Sequence, residues 1–175
     1  MGDPAKRRRR LRRVVSDTGP VLHLHEARAL HLLSLTGEVS IPLAVDDELK
    51  RWIPGWEQSR PAWISRLDLS TSAEDWRDWC EAGILDIGEA QAVSLARELS
   101  ADWFLTDDTA ARLIGSQLGL EVHGSLAVVL WAAATGKLRR DAARESLENL
   151  FGSSLWLSAR VRAEALAALD EIADG

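Results

Sequence analysis

Only one cysteine, Cys80, occurs among the 175 residues. A lone thiol cannot close an internal disulfide, nor can it build a cysteine-rich zinc module, so a reducing, cytoplasmic setting is expected. Long apolar runs are missing as well. The longest, "LAVVLWAAA" from Leu126, is about half of the ~20 residues that a bilayer span needs, and no membrane association is expected. The chain begins basic, as signal peptides do, but "VVSDTGPVLHLHEA" turns polar too soon to serve as an apolar targeting segment. The first strand is not followed by a glycine-rich turn, which argues against a dinucleotide site, and there is no phosphate-loop lysine motif. The four histidines, 23, 25, 31 and 123, are scattered; His23 and His25 have an i,i+2 spacing that suits no helical metal site, and all four read as structural or surface residues. Tyrosine is absent, while tryptophan occurs eight times. Most of these indoles belong in a core or an interface. Trp52, Trp56 and Trp63 fall beside one predicted helix, where base stacking is an option.

Charge is unevenly placed. "KRRRRLRR", Lys6 to Arg13, holds seven of the 21 basic residues. With Asp3, the first 13 residues carry +6 of formal charge, and the rest, with 14 basic and 26 acidic residues, carries −12. Residues 1–12 therefore read as a flexible basic arm, either a solvated tail or a phosphate-binding one. In the second case Arg7, Arg8, Arg9, Arg10, Arg12 and Arg13 would touch RNA.

Behind the arm, short strand patterns ("RVVS", "EVSIP", "WFLT", "LEVHG") alternate with amphipathic helical ones. A helix is expected over "HEARALHLLSLTG", ending at Gly37, and another over "LAVDDELKRWI". The stretch from Pro54 to Ser72 is the hardest to read, with a helical turn and a short edge strand as the best fit. Ser72 is expected to cap "AEDWRDWCEAG", and Gly88 to open "EAQAVSLAREL". Two further helices are expected near 139–151 and 158–173, the second capped by Ser158. This alternation predicts an α/β fold, a three-layer α/β/α sandwich on a mostly parallel sheet. The expected organisation is the arm (1–12), a catalytic domain (13–140) and C-terminal helices (141–175) packed on the same domain.

Acids recur at one edge of that expected sheet. Asp17 ends the first strand, and Asp107 and Asp108 end "WFLT". In a parallel sheet those tips share an edge, and ligands of open α/β sheets bind outside it. Glu48 lies one to two turns into the second helix, and Glu89 follows Gly88. Singly, each has an ordinary explanation as a cap or a partner of the helix dipole. Together, carboxylates this close must raise a pKa or bind a cation, and all-oxygen ligands favour Mg²⁺ or Mn²⁺. That chemistry is metal-assisted phosphodiester hydrolysis. Arg112, one turn beyond Asp108, would pair with it, and would orient the acids or hold a substrate phosphate. "DTG" is also the signature of aspartic proteases, but those are all-β and need two such aspartates. A receiver domain would need a lysine after its last strand, whereas Lys137 follows a helix.

"VVSDTGPVLHL", "IPLAVDDELKR", "DIGEAQAVSLARELSADWFLTDDTAAR" and "GLEVHGSLAVVLWAAATGKL" together resemble the PIN-domain family, over roughly residues 13 to 140. They are most similar to small prokaryotic members with a Gly-Glu-Ala segment and an Asp-Asp preceding Ala-Arg. The resemblance implies a Mg²⁺- or Mn²⁺-dependent endoribonuclease acting on single-stranded RNA. It also implies the toxin half of a toxin–antitoxin pair, with an antitoxin protein as partner, and a homodimer. Carried over by position, the catalytic acids are Asp17, Glu48, Glu89 and Asp108. The metal ligands are Asp17, Glu89 and Asp107 or Asp108, with strand-tip spacing favouring Asp108. Thr18 and Thr106 match small hydroxyl positions beside the metal. His23 and His25 depart from the family pattern, and the arginine-rich arm lies outside it. The competing expectation is a catalytically weak PIN-like module that binds RNA or protein.

Overall fold

The computed structural model describes residues 11–70 and 75–172. Arg7 to Arg10, and the cap expected of Ser72, lie outside them.

Consecutive β-branched Val14 and Val15, both fully buried, make β1 (Arg13–Ser16) the kind of strand that is covered on both faces. It occupies the centre of a five-stranded sheet of order β3-β2-β1-β4-β5, all parallel. The others are β2 (Glu38–Pro42), β3 (Ile64–Leu67), β4 (Trp103–Leu105) and β5 (Val122–His123). Val14 stands opposite Val39 on one side and Trp103 on the other. From β1 the chain works outward through β2 to β3, then returns to β4 and leaves through β5 on the other side. The carboxyl ends of β1 and β4 therefore flank the point where the connections diverge, the place where such sheets form a crevice.

Helical layers complete an α/β sandwich. Helix α5 (Ile87–Glu98) packs on β1, β2 and β4, beside α2 (Leu43–Trp52), α4 (Asp75–Glu81) and α6 (Thr109–Gln117). Helix α1 (Thr18–Glu26) packs with α7 (Ser125–Ala134) and α8 (Arg140–Phe151), and α9 (Ala159–Glu171) rests on α7 and α8. Leu147, Leu150 and Leu169 are fully buried, so the last two helices share the main core. Among the described residues no helix is long and apolar enough to cross a membrane.

The stretch from Pro54 folds as the short α3 (Trp56–Ser59) and the edge strand β3, the expected helical turn and strand. The helix expected over "HEARALHLLSLTG" is different. Helix α1 starts at Thr18, capped by Asp17 with Pro20 in its first turn, where a proline costs no hydrogen bond. It ends by Ala27, Arg28 takes a left-handed φ of 58°, and Leu30–Leu35 form a 3₁₀ segment. Helix α5 also starts earlier than expected, with Asp86 rather than Gly88 at its entrance.

At the amino end of β1, away from the crevice, two arginines of the expected RNA-binding set are held by the body. Arg12 donates to the Thr36 carbonyl at 2.9 Å and lays its guanidinium 3.9 Å from the Trp103 ring. The backbone of Arg13 donates to Asp102 at 2.7 Å.

Candidate active site

The crevice holds a cleft of about 380 Å³ lined by Asp17, Thr18, Glu48, Glu89, Asp107 and Asp108, all expected from the sequence. Each arrives on a different local device.

Asp17 is the N-cap of α1 and is only 4% exposed. Its own N–H donates to Leu105 O at 2.9 Å, which fixes the tip of β1 against β4. Its Oδ1 accepts from Thr18 N at 2.6 Å and its Oδ2 from Thr106 Oγ1 at 3.0 Å. Burial dominates its titration. Despite those hydrogen bonds, its pKa rises from 3.8 to about 8, with Glu89 and Asp86 adding like-charge repulsion. Thr106, fully buried, uses the same hydroxyl to accept from Asp108 N at 3.1 Å. One side chain thus joins the two strand tips.

Glu48 reaches in from α2. Its carboxylate accepts from the Thr18 hydroxyl and from the backbone at Gly88, and burial raises its pKa. Gly88 leaves the space that the Glu48 carboxylate occupies. A Cβ at that position would lie 2.7 Å from the Glu48 carboxyl carbon, well inside contact distance.

Glu89 is held in a capping box at the start of α5. Glu89 N donates to Asp86 Oδ1 at 2.8 Å, and Asp86 N donates to Glu89 Oε2 at 2.9 Å. Burial, then repulsion from Asp86, Asp108 and Glu48, raises the Glu89 pKa to about 7.

The adjacent aspartates have separate tasks. Asp108 caps α6, its Oδ1 accepting from Ala111 N at 2.8 Å. Asp107 is fully engaged by protein donors: Ser125 N to Oδ1 at 2.7 Å, the Ser125 hydroxyl to Oδ2, and His23 Nδ1 to Oδ2 at 2.7 Å. Gly124 permits this approach, since a Cβ there would sit 2.7 Å from Asp107 Oδ1 and 2.8 Å from Arg112 Nη2. Arg112 does not pair with Asp108; it donates to the Thr106 carbonyl at 3.0 Å and so braces the end of β4.

Sequence reasoning missed several residues of the cleft, three of which bear on its chemistry or shape. Asp86 lines it, and the D-x-x-E pattern before an apolar run was a readable sign of its cap. His23, read as structural or surface, lies in the cleft wall against Asp107. Trp156, in the loop between α8 and α9, closes one side. Neither of the last two carries a local signal, because both depend on contacts distant in the chain.

Among the described residues, no group of three or more His, Cys, Asp or Glu side chains is drawn tightly enough together to hold an ion. The carboxylates share a cleft but are each tied to protein donors. As a donor set they are all-oxygen and, at Asp17, Glu48 and Glu89, destabilised in their charged form. In chemistry, though not in present spacing, such a set suits a hard divalent cation, whose charge would offset the cost of burying these carboxylates ionised. A protein-family model described as a PIN domain matches residues 13–171. No curated protein matches significantly.

Proposed function

Because the chain belongs to the PIN-domain family, whose members are generally nucleases that use divalent metal ions, we propose that it is a metal-dependent endoribonuclease. Its reaction would be hydrolysis of phosphodiester bonds in single-stranded RNA, and its role the toxin half of a toxin–antitoxin pair. The observation that carries the reading is the convergence of Asp17, Glu48, Glu89 and Asp108 on one cleft at the topological switch point.

In this reading Asp17, Glu48, Glu89 and Asp108 would hold Mg²⁺ or Mn²⁺. Such an ion supplies Lewis acidity at the phosphoryl oxygen and acidifies bound water. The protein's own part is placement. Thr106 sets Asp17 and the backbone of Asp108 from one hydroxyl. Thr18 sets Asp17 through its N–H and Glu48 through its hydroxyl. Glu89 has Oε2 fixed by Asp86 N and keeps Oε1 to accept a proton from water. Asp107, saturated by His23 and Ser125, positions its neighbour more than it offers a ligand, which favours Asp108 of the pair.

That no three of these acids are drawn tightly together among the described residues supports a second reading, a catalytically weak module that binds RNA or protein. Incubating purified full-length protein with single-stranded RNA in Mg²⁺ or Mn²⁺, with and without EDTA, separates the two. The nuclease reading expects internal cleavage that stops with chelation; binding without cleavage in either metal leaves the second. A homodimer and an antitoxin partner belong to the first reading. Their support is the exposed apolar surface at Ile84, Ile87, Leu113 and Leu118. Light scattering on the same preparation checks the dimer, and a monomer at high concentration rejects it.

Gly88→Ala supplies an independent check on Glu48. Alanine favours a helix by about 1 kcal/mol over glycine, so α5 should persist and the melting temperature should change little. The added methyl should expel the Glu48 carboxylate and lower cleavage by about 10- to 100-fold, the range seen when groups supporting a metal site are lost. Unchanged cleavage in both Gly88→Ala and Glu48→Gln would remove Glu48 from the machinery.

A further inference from the structure

Three cavities adjoin on this face. The acid cleft shares Glu48, Trp52 and Asp86 with a groove of about 940 Å³ between α2 and α5. On its other side it shares Asp107, Leu155 and Trp156 with a cavity of about 340 Å³ beside α7. The acid cleft therefore adjoins a further cavity on each of two sides.

A tryptophan stands at each junction. Trp52 is 67% exposed and Trp156 is 84% exposed, unusual positions for the largest apolar side chain. Neither has a ring partner, a cation over its face or an indole hydrogen bond among the described residues, in contrast to Trp56, which is buried and bonded to Asp46, and Trp103, which is stacked by Arg12, His123 and Trp131. Each outer section holds one arginine among acids: Arg51 beside Asp47 and Asp68 in the groove, and Arg112, bonded to the Thr106 carbonyl, beside Asp107 in the far cavity.

We infer that Trp52 and Trp156 are base-stacking platforms on either side of the acid cleft, so that a single nucleic-acid strand runs across the three cavities with a phosphate at the carboxylates. The inference rests on the nuclease reading for the identity of the strand. A small ligand would fill one section and leave the others unused. An apolar peptide would bury the carboxylates with nothing to offset them. A strand offers flat bases to the two indoles and phosphates, with their counter-cations, to the centre. Every base has a π-face, so the two platforms select single strands without selecting sequence. A strand seated across the cleft and both neighbouring cavities would present its interior, not an end, to the carboxylates.

The test uses the full-length protein with Ca²⁺ in place of Mg²⁺, a labelled oligoadenylate, and a strand of the same length lacking bases at its centre, all at one fixed salt concentration. Trp52→Ala and Trp156→Ala should each weaken binding of the oligoadenylate by about tenfold or more, the effect expected from losing one base–aromatic stack. Trp52→Phe and Trp156→Phe should recover most of it. The abasic strand should bind wild type and variants alike. Equal affinity of the alanine variants for oligoadenylate overturns the inference, as does an equal loss on the abasic strand. A change confined to oligomeric state also overturns it and marks the tryptophans as a contact between copies. The two readings fail separately. Cleavage in Mg²⁺ with no tryptophan dependence sinks the platforms and keeps the nuclease; tryptophan-dependent binding without cleavage does the reverse.

Discussion

Asp17→Asn should cut RNA cleavage by orders of magnitude and yet leave the metal-free protein more stable at alkaline pH. The first half follows from its place at the centre of the acid cleft, where losing the charge should cost about a thousandfold in rate, comparable to other preorganised electrostatic groups. The second half follows from burial. The folded state holds the Asp17 carboxyl with a pKa near 8, against 3.8 for the free side chain. Folding therefore favours the protonated form. Its contribution is complete below the unfolded value and is lost as pH rises towards 8, with a slope of up to about 1.4 kcal/mol per pH unit. Glu89, with a pKa near 7, loses stability over a narrower window in the same direction. Metal-free wild type should accordingly melt at progressively lower temperature between pH 5 and pH 8. Asparagine keeps an acceptor for Thr18 N and can donate to Thr106 Oγ1, so the variant should flatten that decline. Mn²⁺ should raise the wild-type midpoint, most strongly at high pH, and should do so less for the variant. Melting curves across pH, with and without Mn²⁺, read all of this. A wild-type midpoint that rises from pH 5 to pH 8 without metal would contradict the buried acid, and full cleavage by Asp17→Asn would falsify its catalytic role.

The largest loss of stability is expected away from the cleft, at Asp46. This carboxylate is 1% exposed and gathers four donors. Trp56 Nε1 (2.9 Å) and Arg60 Nη1 (3.1 Å) reach Oδ1, while Arg66 Nη1 and Lys50 Nζ (both 3.2 Å) reach Oδ2. Burial by itself would raise its pKa, but the bonds from Trp56, Lys50 and Arg66 and the charge of Arg60 hold it below the ordinary value. The node ties α2 to α3 and to the edge strand β3, the part of the chain with the weakest patterns of its own. Asp46→Ala strands a buried indole N–H and removes the counter-charge of three cations. A loss of about 3 kcal/mol is expected, or roughly 6–12 °C in melting temperature for a chain of this size. Because the folded pKa is depressed, this stabilisation is present at neutral pH and lost as acid protonates Asp46. The gap between wild type and variant should therefore close at low pH. Denaturation at pH 7 showing a loss under about 1 kcal/mol would show that the node is dispensable.

Residues whose role is local were the readable ones. Asp17 and the Asp107–Asp108 pair stand out because an apolar strand leads straight into a carboxylate, and parallel pairing then puts both tips on one edge. Helices α2, α8 and α9 follow from apolar spacing and clear ends. Helix α1 was misplaced because "DTGP" looks like a turn, whereas an aspartate cap with a proline in the first turn is equally a helix entrance. Strand-tip spacing favoured Asp108 over Asp107, but the donors that engage Asp107, His23 and Ser125, approach from other elements and left no local sign. The tryptophans divide in the same way. Trp52, Trp56 and Trp63 are neighbours in sequence, but Trp56 turns inward to Asp46 while Trp52 faces solvent. Trp156, from the far end of the chain, joins Trp52 at the cleft, and no pattern near residue 156 announces it.

The hydroxyl of Thr106 that holds Asp17 closes a loop of 89 residues, and this has a consequence for the newly made chain. Strand β1 is synthesised first but sits between β2 and β4, so the central strand waits for a neighbour made much later. Non-local parallel pairing of this kind forms slowly, because the entropy of closure must be met before the contacts return anything. While β4 is still inside the ribosome, Asp17 has neither the Leu105 carbonyl nor the Thr106 hydroxyl to set it, and Asp108 is absent. The acid cleft is thus incomplete until β4 and the start of α6 have left the ribosome, well past the middle of the chain.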